Sequence, residues 1–142
     1  MKQFGIIGYP LTISFSKNYF SEKFEREQMA AVYDLFPLTA INLFPKLIAD
    51  IHFAGMNVTI PYKQEVIPYL DQLDDTAREI GAVNVIKFIR QGKTQQTRGY
   101  NSDAIGFNKT LDGLLQTQHT KALILGTGGA SKAVAYVLKK RD

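Results

Sequence analysis

Three short apolar runs, each closed by glycine or proline and each followed by a helical pattern, restrict this chain to layered folds. Phe4-Gly5-Ile6-Ile7-Gly8, residues 32–38 and Asn57-Val58-Thr59-Ile60 are the runs, and Pro37 and Pro61 stop the second and third. Continuous apolar runs of this length read as strands buried on both faces. Between the first two, Ser16 is placed to cap a helix reaching about Ala30, with Phe20 and Phe24 one turn apart. Between the second and third, Leu43, Leu47 and Ile51 recur every four residues, marking a helix that Gly55 would close. Helical pieces follow at 64–69 and 74–80. Residues 83–89 and 94–99 then flank Gln91-Gly92 as a hairpin. Three strand–helix repeats and a hairpin predict an α/β three-layer sandwich with a mostly parallel sheet and one antiparallel strand.

That pattern ends near residue 101. An amphipathic stretch over 102–116 carries Ile105, Leu111 and Leu115, and 122–125 reads as another buried strand. The loop Gly126-Thr127-Gly128-Gly129-Ala130-Ser131 and a helix to Lys140 come next. A lone strand and helix cannot bury both faces of a sheet. The expectation is therefore a first domain over 1–101, and over 102–142 a linker helix with the start of a truncated dinucleotide-binding domain, an incomplete Rossmann-like βα unit. A strand that turns through glycines into a helix is the geometry that receives a pyrophosphate, because close backbone approach and free amides both favour the anion. Ser131 stands where the third glycine of the common pattern falls. The side chain that reads the adenosine ribose is expected ~20 residues further on, beyond position 142, so NAD and NADP both stay open.

Composition removes several function classes. Of 142 residues, 45% are hydrophobic and 21% charged, the balance of a globular chain. No apolar run approaches the roughly 20 residues that span a bilayer. Cysteine is absent, and His52 and His119 are the only histidines, so no cysteine nucleophile or multi-histidine metal site is expected. The net charge is +4, with Lys139, Lys140 and Arg141 clustered where a helix C-terminus favours cations. No basic stripe interleaved with aromatics appears, so neither nucleic acid nor membrane is an expected partner. The expected compartment is the cytoplasm.

Four polar segments lie where an α/β fold places ligands, at strand ends. They are Gly8-Tyr9-Pro10-Leu11-Thr12-Ile13-Ser14-Phe15-Ser16, Asn57-Val58-Thr59-Ile60-Pro61-Tyr62-Lys63, Gly81-Ala82-Val83-Asn84, and Gly99-Tyr100-Asn101-Ser102-Asp103. Hydroxyls, amides, one ammonium and one carboxylate suit a small polyhydroxylated acid. Each segment also has a purely structural reading. The serines can cap a helix, Asn101 can make an Asx turn, Asp103 can favour a helix start, and Lys63 can be a solvated charge.

Taken in order, these segments resemble the shikimate dehydrogenase family. Gly8, Pro10, Ser14 and Ser16 match its substrate loop. Asn57, Val58, Thr59, Pro61 and Lys63 match its Asn-Val-Thr-x-Pro-x-Lys segment. Gly81-Ala82-Val83-Asn84, Gly99-x-Asn101-x-Asp103-x-x-Gly106 and the Gly126–Ser131 loop match three more. Departures are Lys17 for the usual proline, Asn18-Tyr19-Phe20, and Val85 and Ser102 where threonine is common. Lys17 adds a cation beside the serines, which keeps a quinate-like substrate in view.

The resemblance implies NADP-dependent, reversible reduction of 3-dehydroshikimate to shikimate, a step of aromatic amino acid (chorismate) biosynthesis. Lys63 would donate the proton, and Asp103 would orient Lys63 and bind a neighbouring hydroxyl. Ser14 and Ser16 would hold the substrate carboxylate, and Thr59 and Asn84 the ring hydroxyls. Gly126, Thr127, Gly128, Gly129, Ala130 and Ser131 would hold the cofactor. Residues 1–142 alone are expected to be inactive, and residues 120–140 to favour a homodimer. The rival readings are a quinate/shikimate dehydrogenase and a non-catalytic module that binds a small acid.

Overall fold

The computed structural model describes residues 1–92 and 94–141. Six strands form one sheet: β1 (Lys2–Gly8), β2 (Ala31–Pro37), β3 (Phe53–Val58), β4 (Gln72–Leu73), β5 (Val85–Gln91) and β6 (Thr94–Tyr100). Their spatial order is β2-β1-β3-β5-β6-β4. β1 runs parallel to β2 and β3, and β4 parallel to β6, whereas β5 is antiparallel to both of its neighbours. β5 is thus the single reversed strand of a mostly parallel sheet, as expected from the repeats and the hairpin.

Alternation along β1 divides the apolar residues between two faces. Ile6 joins Phe24 and Tyr33 under α1 (Phe15–Arg26), with Phe4 and Phe20 packed beside them. Ile7 points the other way, into a larger core with Phe44, Phe53, Met56, Val66 and Ile86. That second face is covered by α2 (Phe44–Asp50) and by the 3₁₀ turn Ile67–Tyr69. Helix on sheet on helix gives three layers. A third cluster lies apart, where α3 (Asp75–Ile80), α4 (Ser102–Thr110) and α5 (Gly129–Lys140) meet through Ile80, Ala82, Ala104, Ala133 and Val137.

Several local expectations change. Gly55 does not end a helix. It lies within β3, where a Cβ would stand 3.1 Å from the Phe4 ring, so the strand needs the small residue for packing. β3 accordingly starts at Phe53 and stops at Val58. Along α2 and its C-cap the core-facing residues are the buried Phe44 and the partly buried Leu47, Ile48 and Ile51, while Leu43 is 42% exposed, because a short 3₁₀ turn over Ile41–Leu43 rotates it outward. The amphipathic stretch over 102–116 is helical only through Thr110. Residues 122–125 form no strand: they pair with none of the six strands, and Leu123 and Leu125 are 86% and 87% exposed. An extended segment becomes a strand only when a neighbour completes its ladder, and no neighbour stands beside this one among the described residues. The helix after the glycine loop forms as expected. No helix among the described residues is long and apolar enough to cross a membrane.

Candidate active site

The reversed strand gathers the site. In a parallel sheet, functional residues collect at the C-terminal strand ends. β5 runs backwards, so its N-terminal end lies beside the ends of β3 and β6, with Val85 opposite both Asn57 and Tyr100. Asn84, just before β5, therefore meets the turn after β3 that carries Lys63 and the helix start after β6 that carries Asp103.

Lys63 Nζ donates to Asp103 Oδ2 at 2.6 Å, and Asn84 Nδ2 donates to Asp103 Oδ1 at 2.7 Å. Each carboxylate oxygen thus has its own donor. The Lys63 and Asp103 side chains are 16% and 34% exposed, a pair drawn partly out of water yet open to a ligand. The Lys63 backbone is fixed because its carbonyl accepts from the Val83 amide at 2.7 Å. The preceding Tyr62 is buried, and its hydroxyl donates to the Leu38 carbonyl. Asn84 also donates to Ser102 Oγ at 2.9 Å, and its Oδ1 accepts from the Ser102 amide at 2.8 Å. One carboxamide therefore ties the start of β5 to the start of α4.

Asn101 takes the structural alternative. Its Oδ1 accepts from the Ala104 amide at 3.1 Å as the N-cap of α4, and its Nδ2 donates to the Ala82 carbonyl at 2.9 Å. Ser14, not Ser16, occupies the N-cap position of α1, and it makes no side-chain cap bond. The Ser14 hydroxyl is not consumed by the helix. Ser16 lies within the first turn, beside the Tyr33 phenol. Burial pushes that phenol up to about 12, and the Ser16 hydroxyl acts the other way. Tyr33 donates to Asn57 Oδ1 at 2.7 Å, and Asn57 Nδ2 to the Asn84 carbonyl at 3.3 Å. A polar path thus runs from Ser16 through Tyr33 and Asn57 to the Lys63–Asp103 pair. Thr59 follows β3, its amide bonded to the Ile7 carbonyl at 2.9 Å.

Neither Tyr33 nor the bridging role of Asn57 was legible in the sequence as a site feature. Asn57 carried a motif signal, but Tyr33 sits in an apolar strand and reads as core. Lys17, next in sequence to Ser16, is half-exposed and faces β2. Its Nζ lies 3.3 Å from Asp34 Oδ1 on β2, a solvent-screened pair.

Gly126–Ser131 leads into α5, whose first turn carries no side-chain cap bond. Gly126 has φ +120°, a conformation open chiefly to glycine. A Cβ on Gly128 would meet nothing within 4 Å, leaving open space in front of the helix start. Uncapped amides and open space suit an anionic group. No cluster of three or more metal-ligating side chains occurs among the described residues.

Comparison with known proteins agrees with this arrangement. Residues 6–86 match the shikimate dehydrogenase substrate binding domain. The NADP(+) shikimate dehydrogenase of Aquifex aeolicus is 41% identical over 140 residues, covering 96% of this chain and 51% of that protein. The one from Halothermothrix orenii is 43% identical, covering 96% and 47%. Shikimate dehydrogenase 1 from Peptoclostridium difficile superposes with a TM-score of 0.88 at 34% identity, over 99% of this chain and 53% of that one. The Thermus thermophilus enzyme in complex with NADP(H) and shikimate gives a TM-score of 0.84 at 30% identity, over 99% and 53%. The chain spans about half the length of the curated relatives it matches. On the match of its sheet, its loops and more than half its length to one family's substrate-binding domain, the chain belongs to the shikimate dehydrogenase family.

Proposed function

We propose that this chain is the substrate-binding part, with the opening of the nucleotide-binding part, of an NADP-dependent oxidoreductase. Its reaction is the reversible reduction of 3-dehydroshikimate to shikimate in chorismate biosynthesis, in the cytoplasm. The carrying observation is the Lys63–Asp103–Asn84 constellation, an ammonium and a carboxylate 2.6 Å apart at the collecting end of the sheet. Residues 1–101 form the substrate domain, and 102–142 begin the nucleotide domain.

Reduction of a ketone builds negative charge on its oxygen. Lys63 stands beside that oxygen, stabilises the charge and delivers the proton from Nζ. Asp103 keeps Nζ aimed and accepts from the adjacent substrate hydroxyl, while Asn84 and Thr59 pair the other ring hydroxyls. Ser14, with its hydroxyl uncommitted, and Ser16 hold the carboxylate. Buried polar groups left unpaired by an analogue lacking those hydroxyls make the site selective. Gly126, Thr127, Gly128, Gly129, Ala130 and Ser131 would hold the NADP pyrophosphate on free amides, and the bound nucleotide supplies the hydride.

Titrating shikimate into the ¹⁵N-labelled chain tests this reading. Shifts are expected at Ser14, Ser16, Thr59 and Asn84. Ser14→Ala should weaken binding about tenfold, the worth of roughly one charged hydrogen bond. No shift at millimolar shikimate overturns the assignment, whereas NADP-dependent shikimate oxidation by residues 1–142 alone would overturn only the expectation that this chain is inactive by itself. Exposed Leu123 and Leu125 favour self-association through 120–140. A monomeric sedimentation profile at high concentration rejects that second proposal.

A further inference from the structure

Gly129 is the one buried residue of the glycine loop. A methyl group there would stand 2.7 Å from Lys63 Cβ, 3.2 Å from Lys63 Cδ and 3.2 Å from Ala82 Cβ. We propose that Gly129 is a positioning residue: its missing side chain makes the slot for the Lys63 stem, and so sets where the ammonium stands against Asp103. The inference rests on Lys63 as the proton donor, and it deepens that reading by adding the residue that aims it.

Backbone conformation does not require glycine at 129. The residue opens α5 with no positive φ, a state any amino acid adopts. The requirement is space alone, and Lys63 cannot supply it by turning away. Cβ is fixed to its backbone, which the Val83 amide holds through the Lys63 carbonyl at 2.7 Å. A new rotamer would move Cδ and leave the 2.7 Å contact in place. The helix cannot easily retreat either. Ala133 and Val137, one and two turns along the same face, are 1% and 4% exposed against Ile80, Ala82 and Ala104. At its far end Arg141 donates to Asn108 Oδ1 at 2.6 Å and to the Asn108 carbonyl at 2.7 Å. A methyl group at 129 therefore displaces the lysine stem relative to Asp103. Gly128, one residue earlier, is the natural control. Its φ and ψ of −75° and 178° are ordinary, and a Cβ there meets nothing within 4 Å.

The test compares Gly129→Ala with Gly128→Ala in the chain labelled with ¹⁵N at lysine. Shielded and ion-paired, the Lys63 ammonium is expected to exchange protons slowly enough to give a side-chain signal, assigned by its loss in Lys63→Arg. Gly129→Ala is expected to shift or abolish that signal, and Gly128→Ala to leave it in place. Crystal structures of both variants give an independent reading. The Nζ–Oδ2 separation should pass from 2.6 Å to beyond about 3.5 Å, outside hydrogen-bond range, in Gly129→Ala only. A lowered melting temperature with the Lys63 signal and the 2.6 Å pair intact would reduce Gly129 to a packing residue and overturn the inference. Neither reading involves a ligand, so they judge Gly129 separately from the shikimate titration that judges the function.

Discussion

Asn84→Ala probes the joint on which the site is built. The substitution deletes the Nδ2 bonds to Asp103 Oδ1 and Ser102 Oγ, and the acceptor of the Ser102 amide, at 2.7, 2.9 and 2.8 Å. Two neutral bonds at about 1 kcal/mol each and one to a carboxylate at about 2 kcal/mol total about 4 kcal/mol. Ser102 is exposed and Asp103 partly so, and water replaces some of that, leaving about 2–3 kcal/mol. The main-chain bonds at residue 84, Asn84 N to the Tyr100 carbonyl and Val58 N to the Asn84 carbonyl, survive the change. The sheet should persist while the start of α4 loosens. Urea unfolding followed by circular dichroism should place the midpoint about 1–2 M lower at an unchanged slope. Hydrogen exchange at the Ser102 amide should accelerate. A shift below about 0.5 M with unchanged Ser102 exchange refutes the account, since the three bonds would then be worth no more than exposed pairs. The near-isosteric Asn84→Asp keeps an acceptor for the Ser102 amide but sets a second carboxylate against Asp103. Its deficit should be largest at neutral pH and shrink as acid protonates the pair.

In a complete enzyme carrying this chain, Lys63→Ala should cut kcat by a factor of about 10² to 10⁴, with KM for shikimate little changed. Survival of kcat within a few-fold removes Lys63 as donor. Asp71 accepts from the amide and hydroxyl of Thr97 at 2.7 and 2.8 Å, and those bonds hold its carboxyl below the usual range, the backbone one foremost. A group depressed in the folded state stabilises above its unfolded pKa and loses that contribution as pH falls through the folded value. Asp71→Asn should therefore cost about 1 kcal/mol at pH 7, and the deficit should fade below about pH 4 in urea titrations. A deficit constant from pH 7 to pH 3 counts against the charge as its source.

The parts of this fold legible in the sequence were those governed by local chemistry. Glycine and proline punctuation marked the ends of β1 and β2, the helical pattern over 74–80 marked α3, and the Gln91-Gly92 pair marked the hairpin. Long-range geometry decided the rest. Gly55 looked like a helix stop because nothing nearby in sequence announces the Phe4 ring that needs its space. β4 has only two residues and exists because β6 offers it a ladder. Residues 122–125 have strand chemistry and no such offer. Within the site, Lys63 and Asp103 were nameable from motif order forty residues apart. Tyr33 was not, because a buried tyrosine reveals its polar end only when its partner is in view.

The reversal of β5 has one more consequence, for how this molecule can be handled. Val85 opposite Tyr100 stands at the edge beside Lys63 and Asp103, whereas Gln91 opposite Thr94 closes the hairpin six residues away, roughly 20 Å along the strand. That tip joins the two strands whose opposite ends are flanked by Asn84 and Asp103, so it faces the remote rim. A fluorophore, an affinity tag or a surface tether joined near Gln91 would report on or immobilise the protein while leaving the Lys63–Asp103 edge untouched.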